Sequence, residues 1–137
     1  MKEWEIKPLK SVGNIKFGMT REEVRKTLDL ECLEFKKNQF SRNTTDNFGI
    51  CQVFYSPDDR CEAVEVSANN DVSVKLNGHE VFLETIDALR NVIKGLKEED
   101  GYEPGEGNYV SSEQSVGICV TSWKVISILA GRKDYYD

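Results

Sequence analysis

A single histidine, His79, limits the nucleophilic chemistry open to this chain, because a Ser–His–acid or Cys–His arrangement would have to use it. It follows Asn77-Gly78, a strong two-residue hairpin signal, so its expected place is a strand edge at the surface. No G-x-S-x-G elbow supports a hydrolase, and the glycines form neither a P-loop nor a dinucleotide fingerprint. Cys32, Cys51, Cys61 and Cys119 are dispersed and include no C-x-x-C pair, which gives zinc little support. Cys51 and Cys119 each follow Gly-Ile among strand-like residues and read as reduced, buried small hydrophobes.

Carboxylates are the other candidates. Glu98, Glu99 and Asp100, with Glu103 and Glu106, have the chemistry to hold a cation, but their spacing does not fit an EF-hand loop. Nothing singles out two of them for glycoside chemistry. The expectation is a protein with no catalytic set, no metal site and no cofactor. The same acids, interleaved with Tyr102 and Tyr109, suit a partner-binding surface, in which aromatic anchors sit among charges. A loop that merely solvates itself describes them as well.

The elements that position these residues centre on residues 14–28, NIKFGMTREEVRKTL. Thr20 can cap a helix over 21–28, Glu23 completes a capping box, and Met19 and Val24 occupy the two positions of a hydrophobic staple. Trp4-Glu5-Ile6 reads as a short edge strand or an arm ended by Pro8. Residues 29–40 suit either helix or strand. Residues 49–56 and 61–67 flank the turn residues 57–60 and form the clearest hairpin. A second hairpin joins 72–76 to 79–82, and Thr85 caps a second helix reaching about Leu96, with Ile86, Leu89, Ile93 and Leu96 on one stripe. Residues 97–115 read as a long exposed acidic loop, and 117–130 as a nearly continuous strand pattern around Trp123.

Residues 17–28 and 82–93 share Phe, Thr and Arg in register, and Gly49-Ile50-Cys51 is echoed by Gly117-Ile118-Cys119. The pattern suggests two repeat units, 12–67 and 72–130, within one domain spanning 1–137. The fold class expected is α+β, an antiparallel sheet with two helical elements packed on one face and an internal duplication.

Composition narrows the function. With 137 residues, 39% of them hydrophobic and 31% charged, the chain can bury a core without disulfides or metals. Its formal charge of −6 argues against a nucleic-acid binder and permits attraction to a basic partner, or serves solubility alone. Residues 1–10 contain no apolar signal region and no run reaches the length of a membrane span, so a cytoplasmic location away from the membrane is expected.

The run 15–24, IKFGMTREEV, resembles the GMT-x-x-E-V helix start of BamE-like and β-lactamase-inhibitor-like domains. The later order resembles small immunity proteins of bacterial toxin systems. The matching residues are Gly49, Ile50, Val53 and Tyr55, then Asp58 and Asp59, Glu62 to Glu65, Asn77-Gly78, Phe82 and the closing Tyr135-Tyr136-Asp137. The chain lacks the lipidated cysteine of BamE-type proteins and the disulfides of the secreted inhibitors. The resemblance implies a non-catalytic protein that occludes a cognate toxin, such as a basic nuclease domain, with Glu98, Glu99, Asp100, Tyr102, Glu103, Glu106 and Tyr109 as contacts. A BamE-like assembly module is one alternative. A small-ligand binder with a pocket lined by Phe17, Cys51, Phe54 and Trp123 is another.

Overall fold

Short runs of β-branched and aromatic residues alternating with polar ones turn most of this chain into strands. The computed structural model describes residues 2–137. In chain order they form β1 (Lys2–Lys7), β2 (Ser11–Val12), β3 (Ile15–Lys16), α1 (Arg21–Leu28), β4 (Leu33–Phe35), β5 (Thr45–Asn47), β6 (Cys51–Tyr55) and β7 (Cys61–Ser67). Then come β8 (Val72–Leu76), β9 (His79–Glu80), a 3₁₀ turn (Val81–Leu83), α2 (Ile86–Val92), β10 (Lys97–Glu98), β11 (Gly107–Ser111), β12 (Val116–Thr121) and β13 (Lys124–Gly131).

The strands make two sheets. One has the order β3-β2-β1-β8-β9 and the other the order β10-β11-β12-β13-β7-β6-β5-β4. One continuous core joins Trp4, Ile6, Val72, Val74 and Leu76 of the smaller sheet to Val53, Val64, Val66, Val116, Ile118 and Ile128 of the larger. This corrects the expected α+β layout of two helices on one sheet face. Strand accounts for 43% and helix for 13%, so the fold is sheet-dominated. The helices are eight and seven residues long, or about 12 and 10 Å at the α-helical rise. Elements that short cannot cover an eight-stranded sheet. They contribute single knobs, Val24 from α1 and Ile86 and Leu89 from α2, to a core built mainly by strands.

The smaller sheet is also not purely antiparallel. β1 pairs in parallel with β8, Trp4 opposite Val74, and lies between β2 and β8 instead of at an edge. Its two apolar residues, Trp4 and Ile6, face inward, while Glu5 between them and the flanking charged residues are exposed.

The cap of α1 has the expected geometry. Thr20 Oγ1 accepts from the Glu23 amide at 3.2 Å, and Glu23 Oε1 accepts from the Thr20 amide at 3.3 Å. Thr85 caps α2 by accepting from the Ala88 amide. α2 stops at Val92, short of Leu96, yet Ile93 and Leu96 remain buried as the chain turns toward β10.

The order of the larger sheet places 4-5-6-7 against 10-11-12-13 about the antiparallel β7/β13 pair. The two Gly-Ile-Cys tripeptides nevertheless occupy different positions. Gly49 and Ile50 precede β6, and Cys51 points into the core. The second tripeptide lies within β12, where Ile118 points inward and Cys119 lies on the opposite face. A one-residue offset in a strand reverses every side chain. Among the described residues no helix is long and apolar enough to cross a membrane.

Candidate functional site

Two polar constellations stand out, one inside and one at the surface. The inner one ties α1 to β5 and β6. Asp46, with a fully buried carboxylate, accepts from Arg21 Nη1 at 3.0 Å, from Arg25 Nε at 2.8 Å and Nη2 at 2.6 Å, and from the Tyr55 hydroxyl at 2.9 Å. Arg21 also reaches Asp59 and Asn43, and Arg25 reaches Glu34. Burial alone would raise the Asp46 pKa. The hydrogen bonds from Arg25 and Tyr55 and the charges of Arg25 and Arg21 outweigh it and hold the carboxyl below its ordinary range. The Tyr55 hydroxyl is pushed up, first by burial and then by Asp46. In this network every charged group has a partner of opposite charge. The network anchors the helix.

The surface constellation lies at the β12/β13 tip. Thr121 pairs with Lys124, which leaves Ser122-Trp123 as a two-residue connection with φ of 51° and 66°. A type I′ turn needs this backbone and normally takes Asn-Gly. A tryptophan in the left-handed region is unusual, and its residue is 68% exposed. The Trp123 amide donates to the Gly105 carbonyl at 2.9 Å, and the Ser122 amide to Glu106 Oε1 at 3.3 Å. The indole rests on Gly105 so closely that a Cβ there would come within 2.6 Å of Trp123 Nε1. Tyr102, 46% exposed, lies over Gly107, and its hydroxyl accepts from Asn108 Nδ2 at 2.8 Å. Two aromatic rings are thus held on a glycine-bearing turn, with Asp100, Glu103 and Glu106 in the same segment.

The residues singled out in the sequence divide accordingly. Residues 97–115 are not one loop, because β10 and β11 pair within them, Glu98 opposite Tyr109. Tyr109 is packed partly against the core near Arg90, and Glu106 is used in holding the turn. Asp100, Tyr102 and Glu103 are exposed in the segment whose Gly105 and Glu106 hold the Trp123 turn, and Glu99 is exposed just after β10. Trp123, expected within a nearly continuous strand pattern, instead lies exposed at the β12/β13 turn. The readable signal was a serine before it and a lysine after it, interrupting the apolar alternation.

His79 sits in β9 with Nδ1 2.8 Å from Glu84 Oε1 and has no nucleophile in that pairing. All four cysteines are free thiols, and burial pushes Cys51 and Cys61 up to about 12. Phe17 and Cys51 join the core, Phe54 lies on the other side of β6, and Trp123 is at a hairpin tip, so these four residues line no common pocket. Among the described residues no three His, Cys, Asp or Glu side chains converge to hold a metal ion. No family model, curated protein or solved structure matches this chain.

Proposed function

We propose that this chain is a non-catalytic inhibitor that binds a basic protein toxin in the cytoplasm and occludes its active site. The observation that carries this reading is Trp123: a large aromatic, exposed at a hairpin tip and seated on Gly105 of an acidic segment whose Glu106 holds the same turn. Rigid aromatic anchors beside charge are the usual centre of a protein interface. Acids in the same segment match a cleft built to hold phosphates and speed encounter with it.

The test uses the open reading frame adjacent to this gene, expressed alone and together with this chain. The expected result is relief of toxicity and co-purification, both lost when Trp123→Ala is combined with Asp100→Asn, Glu103→Gln and Glu99→Gln. Protection that survives those four substitutions would remove the patch from the interface. An adjacent product that is harmless and does not bind would remove the inhibitor reading itself.

A further inference from the structure

Away from the Trp123 tip, the outer face of the larger sheet carries a cavity of about 310 Å³ beside β5 and β6. Its charge is opposite to that of the chain. Lys37, Arg42 and Arg132 all line it, and Glu62 is the only acid to do so, although the protein has a formal charge of −6. Among the described residues neither Lys37 nor Arg42 has a carboxylate within ion-pair distance, whereas Arg132 meets Glu62 only at 3.6 Å. Lys37 lies instead over the Phe54 ring, with Nζ 4.6 Å from its centroid. The Ser41 hydroxyl, also at the cavity, accepts from the Asn38 amide and donates to no acceptor among the described residues. Cationic groups and a hydroxyl donor facing one small space form an anion site, and paired guanidinium groups favour phosphate through their planar donor forks. Tyr135 supplies an aromatic wall, seated so closely over Gly131 that a Cβ there would meet its side chain at 2.7 Å. The volume is at the lower end of those of small-molecule sites.

We propose that this cavity binds a small phosphomonoester carrying a planar organic group. The phosphate sits among Lys37, Arg42 and Arg132, and the plane lies against Tyr135. The site is separate from the Trp123 surface and does not depend on the toxin reading.

The test is an NMR titration of the isotopically labelled full chain at constant ionic strength with phenyl phosphate, inorganic phosphate and phenol. Phenyl phosphate is expected to saturate, with shifts confined to the cavity residues 37, 41–45, 54, 55, 62 and 132–135. Inorganic phosphate is expected to shift the same residues at least about tenfold more weakly, and phenol not to bind. Lys37→Gln with Arg42→Gln, two exposed side chains without ion-pair partners, should weaken phenyl phosphate at least about tenfold while leaving the remaining spectrum unchanged. Arg132→Gln provides a second, independent loss. Scattered or non-saturating shifts, or affinity unchanged in both variants, would overturn the site. Equal binding of inorganic and phenyl phosphate would overturn the planar component.

Discussion

Asp46 shows what a single residue does here. It compensates two guanidinium groups from inside the fold, so Asp46→Ala leaves Arg21 and Arg25 facing a void. Removing one member of a buried ion pair costs on the order of 3 kcal/mol, which urea denaturation would read directly. The network also sets an acid limit. Asp46 and Asp59 are held below their ordinary carboxyl range in the folded state. Their stabilisation is therefore complete above the unfolded value of about 4 and is lost as pH falls through the depressed folded values. Melting temperature should drop on the acid side of about pH 4, and Arg21→Gln should flatten that drop. Thr20→Ala should lose about 1 kcal/mol through the cap without touching the binding surface. The cap was legible because Thr, Glu and their spacing are local. The Arg21–Asp46 pairing was not, because it joins residues 25 positions apart that only the sheet brings together.

At the scale of elements, the Ser122-Trp123 turn carries the most information. Left-handed backbone costs a non-glycine residue about 1–2 kcal/mol, and nothing in the core requires this tryptophan. Trp123→Gly should therefore leave stability unchanged or raise it by up to about 1 kcal/mol, while partner binding falls. A large loss of stability on thermal denaturation would mean that the indole on Gly105 is a structural prop instead. Gly105→Ala makes the converse test, since its added methyl group displaces the indole from its seat. Hairpins at Asn77-Gly78 and residues 57–60 could be read because turn chemistry is local. The sheet dominance could not, because β10 and β4 are two- and three-residue edge strands with no period to detect. β1 is recognisable as a central strand only once β8 is known to lie beside it.

For the whole molecule, charge is distributed unevenly. Carboxylates crowd residues 98–106, whose Gly105 and Glu106 hold the Trp123 turn, while the cavity near β5 and β6 gathers cations. If the acidic side meets a basic cleft, the association rate should fall steeply with ionic strength, and dissociation much less. Leu89→Ala, fully buried in α2, should cost about 2–5 kcal/mol yet leave affinity intact wherever the protein is folded. The proposed function thus puts stability and recognition in different parts of one fold. The most direct test measures both on one variant: Trp123→Gly, melted and then titrated beside wild type against the adjacent-gene product. The account predicts a melting temperature at or above wild type with binding weakened at least about tenfold, as for a hot-spot aromatic. Wild-type affinity in a well-folded Trp123→Gly protein would contradict it.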